Sequence, residues 1–128
     1  HEARLLDLLR KRRTAVAFYA SWCGPCQKEL PQLIDKVGKH GDVVVVVGQD
    51  EDLEATRRAL ANLDLAEHGF FVDASGELQR EARVRALPTT FLVTRTGAVL
   101  YRMVGNSFMG LFRLEQRLGA DQDSVEAE

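Results

Sequence analysis

Cys23 and Cys26, the only cysteines in the chain, frame a two-residue insert in the segment Trp22-Cys23-Gly24-Pro25-Cys26. A compact apolar run, Ala15 to Ala20, precedes them and an amphipathic pattern follows, which puts the pair at a strand-to-helix turn. At a helix N-terminus the unpaired backbone amides and the positive end of the dipole favour an anion. A thiol at such a place is expected to have a lowered pKa and a populated thiolate near neutrality, so Cys23 is the candidate nucleophile. Pro25 falls in the first helical turn, where its missing amide hydrogen costs nothing and its fixed φ helps to start the helix. Cys26 falls on the stripe that faces the sheet and is the candidate resolving thiol, shielded from solvent. Residues three apart on a helix hold their Cβ atoms roughly 5–6 Å apart, whereas a disulfide wants about 3.8 Å. A bond between the two sulfurs therefore tightens the turn and is expected to be reducible. A loop this short also adds little stability, so a purely structural bridge does not explain the pair.

Two other uses of such a pair fail on the rest of the chain. A structural zinc site needs four ligands, but there is no third cysteine, and His40 and His68 stand far apart compared with the usual spacing of about 3–5 residues. Covalent haem attachment requires His directly after the second cysteine, and Gln27 stands there. Dithiol chemistry without a metal or an organic cofactor is the expectation.

The elements that must hold the pair follow from hydrophobic periodicity. With 128 residues, 45% hydrophobic and 28% charged, the chain has room for one globular domain, expected over residues 1–118, with an acidic tail over 119–128 frayed in solvent. A net charge of −2 offers no attraction to a polyanion such as nucleic acid. No apolar run approaches the ~18 residues of a membrane-spanning helix. No signal peptide is visible, and because the chain opens on His1 a cleaved export signal or a trimmed anchor stays open.

Leu5, Leu6, Leu8 and Leu9 predict a short amphipathic helix closed by the run Arg10 to Arg13, read as a solvated helix end rather than an anionic-surface patch. Ala15 to Ala20 and Val43 to Val47 predict buried strands. The helix between them, from Gly24 to about His40, carries its stripe on Cys26, Leu30, Leu33, Ile34 and Val37, with a kink expected at Pro31. This is a βαβ unit with parallel strands. Asp50 or Glu51 is expected to cap a second crossover helix carrying Leu53, Thr56, Leu60 and Leu63. Phe70 to Val72 reads as a short strand, Asp73 to Gly76 as a turn, and Glu77 to Val84 as helical. Thr89 to Thr94 and Ala98 to Val104, joined by Arg95-Thr96-Gly97, predict an antiparallel hairpin. Leu111, Leu114 and Leu118 mark a last helix, on which Phe108, Met109 and Phe112 serve core packing or a docking patch.

With these elements in place, the chain resembles the thioredoxin superfamily, and within it the TlpA/ResA/DsbE-like thiol-disulfide oxidoreductases, over about residues 14–118. Phe18-Tyr19-Ala20-Ser21-Trp22-Cys23-Gly24-Pro25-Cys26-Gln27-Lys28-Glu29-Leu30-Pro31 is similar to the active-site strand and helix of that group. Ala86-Leu87-Pro88-Thr89-Thr90-Phe91-Leu92-Val93 is similar to its second hallmark, a cis-proline loop entering a strand. The segment ahead of the first strand is shorter than the amino-terminal hairpin region common in the group.

The resemblance implies a three-layer α/β fold, a mixed sheet with helices on both faces and the dithiol at the carboxyl end of a parallel strand. It implies that Pro88 is cis and lies beside the cysteines, with the Leu87 backbone available to an extended substrate segment in the manner of an added strand. Trp22, Gly24, Pro25, Leu87 and Pro88 are the expected substrate contacts, although Trp22 also reads as ordinary packing of the turn. Ordinary thioredoxin has a buried carboxylate where this chain has Ala17; Glu29, three residues after Cys26, is the acid that the resemblance puts in the site, where it would take the proton of Cys26. The alternative is a solvated helix glutamate. The implied activity is reduction of protein disulfides in cytochrome c maturation or a related thiol-reducing pathway, by a monomeric, periplasmic or otherwise exported protein recharged by a membrane thiol donor. A cytoplasmic location, an oxidase or isomerase on the same fold, and a redox-silent binding module or chaperone are the alternatives.

Overall fold

The computed structural model describes residues 13–105 and 108–119. The expected first helix, up to Arg12, and the acidic tail beyond residue 119 lie outside the described residues. Strand β1 (Thr14–Tyr19) is buried along its whole length, because its β-branched and aromatic residues suit a strand packed on both faces. Helix α1 (Gly24–Lys39) follows, then β2 (Val43–Gly48), α2 (Leu53–Asn62), β3 (Phe70–Val72), a short α3 (Glu77–Glu81), β4 (Thr89–Val93), β5 (Val99–Val104) and α4 (Phe108–Gly119).

The five strands form one mixed sheet in the order β3-β2-β1-β4-β5. β1 runs parallel to β2, from Thr14 beside Val43 to Tyr19 beside Gly48, and antiparallel to β4, from Thr14 beside Val93 to Phe18 beside Thr89. β2 and β3 are parallel, and β4 and β5 form the expected antiparallel hairpin. Alternate residues point to opposite faces. Ala15, Ala17, Tyr19, Val44, Val46, Leu92 and Met103 therefore share one core with Leu30, Leu33 and Val37 of α1, Leu60 of α2 and Leu111, Leu114 and Leu118 of α4. Val16, Phe18, Val45, Val47 and Val93 make the second core on the other face, with Val84 buried among them and Leu78 of α3 against it. The helices thus cover both faces, and β1 ends at the middle of the sheet with α1 beginning just above it.

Four local expectations differ from the structure. Asp52, not Asp50 or Glu51, caps α2, its side chain accepting from the Ala55 amide at 2.9 Å. Leu53, expected on the apolar stripe of α2, is 48% exposed, since it follows that cap directly at the open end of the helix. α3 stops at Glu81 rather than reaching Val84, because Arg83 takes a left-handed φ of 58° and turns Val84 down into the second core. Arg13 is no solvated helix end: its guanidinium pairs with Asp42 at 2.6 Å and donates to the Leu118 carbonyl at 3.2 Å. Pro31 lies inside α1, which runs on through it to Lys39.

Candidate active site

The site is built where β1 hands over to α1. After Tyr19, Ala20 is buried and Ser21-Trp22 forms a turn closed by the Cys23 amide donating to the Ala20 carbonyl at 3.2 Å. Cys23 is the N-cap of α1, its sulfur accepting from the Cys26 amide at 3.2 Å, and Pro25 sits in the first turn. The two sulfurs are joined in a disulfide with the Cα atoms 5.3 Å apart. Cys26 is 1% exposed and Cys23 6%, so Cys23 is the less enclosed of the two. Trp22, beside it, is 71% exposed, which removes its reading as packing for the turn.

The second half of the site comes from the start of β4. The Leu87–Pro88 peptide is cis. The register that sets Phe18 beside Thr89 carries Pro88 alongside Tyr19, at the carboxyl end of β1. Leu87 is half-buried against the core cluster that contains both cysteines. Thr89 donates its hydroxyl to the Ala86 carbonyl at 2.6 Å and the Gly105 amide donates to the Pro88 carbonyl at 2.8 Å, which fixes the loop on both sides. Trp22, Gly24, Pro25, Leu87 and Pro88 thus converge at one end of the sheet. Phe112 is exposed but belongs to α4; the Phe108 and Met109 side chains lie outside the described residues.

One turn along α1 from Cys26, Glu29 occupies the inner face of the helix, 2% exposed. The reading of Glu29 as a solvated helix residue is thereby overturned. Its Oε2 has no hydrogen-bond partner among the described residues, and burial in this apolar layer pushes its pKa up to about 7. Ala17 of β1 leaves no acid on the strand below. Thr90, paired with Ala17 across the strands, also has a buried hydroxyl without a partner among the described residues.

Three residues around the turn were not recognisable as site residues in the sequence. Gln27 reaches back from α1: its amide nitrogen donates to the Ser21 carbonyl at 2.9 Å, and its oxygen accepts from the Tyr19 hydroxyl at 2.9 Å. Burial, opposed by that hydrogen bond and reinforced by the negative charge of Asp50, raises the Tyr19 pKa, so the phenol remains a donor. Asp50, just past β2, is buried and accepts from Ser21 and Thr56. The available signal was an acid at the carboxyl end of a strand adjacent to β1, which also reads as a helix cap.

Among the described residues no cluster of His, Cys, Asp and Glu could hold a metal ion, and no helix is long and apolar enough to cross a membrane. The arrangement is suited to thiol-disulfide exchange: an N-cap sulfur, a buried sulfur behind it and a buried carboxyl that changes charge near neutrality.

Comparison with known proteins agrees with this geometry. The Redoxin family model matches residues 2–110. The thiol-disulfide oxidoreductase ResA of Bacillus thuringiensis is 31% identical over 91 residues, covering 69% of this chain and 52% of its own length; the chain spans about half the length of such curated relatives. A crystal structure under the name thiol:disulfide interchange protein DsbE, from Chlorobium tepidum, superposes with a TM-score of 0.76 at 33% identity, covering 88% of this chain and 82% of that one. The exposed lipoprotein thioredoxin Etrx1 of Streptococcus pneumoniae superposes with a TM-score of 0.72 at 25% identity, covering 88% and 87%. With its sheet order, its Cys-Gly-Pro-Cys turn and these matches, the chain belongs to the Redoxin family of the thioredoxin superfamily, in the TlpA/ResA/DsbE-like group.

Proposed function

We propose that this chain is a thiol-disulfide oxidoreductase that reduces protein disulfides. The observation that carries the reading is the disulfide between the N-cap Cys23 and the buried Cys26. In the reduced chain the Cys23 thiolate attacks one sulfur of a client disulfide, forming a mixed disulfide and releasing the client's other sulfur as a thiolate. Cys26 then gives its proton to the Glu29 carboxylate and attacks the Cys23 sulfur. The client leaves fully reduced, and the Cys23–Cys26 bond re-forms with the two electrons passed to the client. Trp22, Gly24, Pro25 and Leu87 form the surface on which the client segment lies, with the buried Pro88 shaping the loop beneath it and the Leu87 backbone bonding the client as an added strand.

A donor of two thiols must reopen the disulfide after each turnover; a membrane thiol donor fits the group to which the chain belongs. An exported location, with cytochrome c maturation or a related thiol-reducing pathway as the setting, is supported by the same kinship and by the exposed lipoprotein among the superposed structures. The Gly24-Pro25 dipeptide favours the reducing direction over an oxidase or isomerase.

The test is equilibrium titration of the Cys23/Cys26 couple against a defined thiol buffer, with thiol trapping as the readout, alongside reduction of a disulfide-bonded protein by a chemical dithiol donor. A potential towards the thioredoxin value of about −270 mV is expected. A value near about −120 mV, that of the oxidase DsbA, reverses the direction. Client binding that persists unchanged in the Cys23→Ser/Cys26→Ser double variant, with no cysteine-dependent turnover in the parent, replaces the enzyme with a binding module.

A further inference from the structure

Ser21, two residues ahead of Cys23, is held from both sides. Its amide donates to Asp50 Oδ1 at 3.0 Å and its hydroxyl to the same oxygen at 2.7 Å, while its carbonyl accepts from Gln27. The other oxygen of Asp50 accepts from the Thr56 hydroxyl at 2.6 Å. Asp50 is 3% exposed and Thr56 fully buried. The approach of Thr56 depends on Gly48, where a Cβ would stand 2.5 Å from its Oγ1. Burying a carboxylate is costly unless its oxygens are bonded. This one neither caps α2, which Asp52 does, nor bonds to a cation among the described residues.

Cys23 is placed by the turn that Ser21 opens. While the disulfide is closed, the bond to Cys26 holds Cys23 at the helix end. Once it opens, hydrogen bonds alone keep the sulfur on the Cys26 amide, and the thiolate depends on that placement. We propose that Asp50 is a positioning residue for Cys23: by tying Ser21 to α2 through Thr56, it keeps the open, reduced dithiol in register with the N-terminus of α1. The proposal rests on the dithiol-exchange reading given above.

The test is the alkylation rate of Cys23 by iodoacetamide as a function of pH, in the Cys26→Ser chain, where Cys23 is the one thiol. Asp50→Asn, Asp50→Ala and Ser21→Ala are compared with that parent. The buried ionisable groups on β1, α1 and the β2–α2 connection, the cysteines aside, are Tyr19, Glu29 and Asp50; exposed Lys28, Glu51 and Asp52 are the same in every chain, and only Asp50 differs among the Asp50 variants. Both of those substitutions remove the charge; Asn keeps an oxygen for Ser21 and an amide for the Thr56 hydroxyl, so the difference between them reports placement.

Asp50→Ala is expected to raise the midpoint of the profile by about one pH unit, and to slow alkylation at pH 6 by about tenfold. Asp50→Asn is expected to stay within about threefold of the parent. Equal profiles for Asp50→Ala and parent overturn the proposal, and so does an Asn variant as impaired as Ala. If Asp50→Ala does not fold, Ser21→Ala decides: about threefold slower alkylation is expected, and an unchanged rate overturns the proposal. Alkylation needs no client, so a Cys26→Ser parent that alkylates as expected, beside an unsubstituted chain that never reduces a protein disulfide, sinks the functional reading alone.

Discussion

The Glu29 carboxyl lies one helical turn beyond Cys26 on the same buried face of α1, with only 2% of the residue exposed. A carboxylate in that layer lacks solvent to stabilise its charge, and burial holds its pKa at about 7. The group therefore switches charge within the pH range in which thiols begin to ionise, and the next two predictions follow from that coincidence.

Stability should fall as pH rises from about 4.5 to about 7. The folded chain keeps the Glu29 proton across this window while the unfolded chain releases it, so the penalty is absent below the lower value and complete above the upper one. The full loss is about 3 kcal/mol as an upper bound. Denaturant unfolding of the oxidised chain at pH 5 and pH 8 checks this. The Glu29→Gln chain should be the more stable of the two at pH 8 and should lack this part of the pH dependence.

Resolution of the mixed disulfide should slow in Glu29→Gln by at least about tenfold near pH 7, general-base help being worth roughly 10²–10⁴ when well placed. The gap should close at high pH, where Cys26 ionises unaided. Quenched-flow trapping of the mixed disulfide measures the rate, and identical pH profiles for the two chains would remove Glu29 from the reaction.

Cys26→Ser should accumulate a covalent complex between Cys23 and a client protein that dissolves on adding dithiothreitol. Cys23→Ser should give none, since Cys26 is enclosed at 1% exposure. Non-reducing electrophoresis after incubation with an oxidised client distinguishes them. Complex formation through Cys26 would reverse the two roles.

Gly48→Ala should destabilise the fold by about 1–3 kcal/mol, because its new methyl would meet Thr56 Oγ1 at 2.5 Å. Thr56→Ala should also cost about 1–3 kcal/mol by leaving Asp50 Oδ2 buried without a donor. In the double variant the contacts with Oγ1 and Cγ2 are gone and only that with the residue-56 Cβ at 3.3 Å remains, so the combined loss should fall short of additivity. Additive losses would show that Gly48 and Thr56 do not share one contact.

Much of this arrangement was legible in the sequence because it is periodic. The all-apolar β1 and β2 and the stripe of α1 declared a βαβ unit, and the turn between β1 and α1 could only fall at Cys23. What was not legible depends on single registers or long reaches. Asp50, Glu51 and Asp52 are three acids in a row, of which the first two were read as the cap; the first helical residue of α2 alone decides that Asp52 takes it and frees Asp50 for Ser21. Arg83 carries no sign of a left-handed backbone, unlike glycine or asparagine, so the early end of α3 was hidden. Gln27 bonds backward to Ser21 and sideways to Tyr19, contacts that no local pattern encodes. The spacing of Glu29 from Cys26 was visible; its enclosure required α1 to be seated on the sheet.

Arg13 gives the molecule a polarity. By bonding Asp42 and the Leu118 carbonyl at once, it draws together the entry to β1, the entry to β2 and the last turn of α4. That junction is at the opposite pole of the sheet from the disulfide, separated from it by the six residues of β1, about 20 Å of extended chain. Any segment joined ahead of Arg13 or beyond Leu118 is thus attached at the far pole, a full length of β1 away from the Cys23 face.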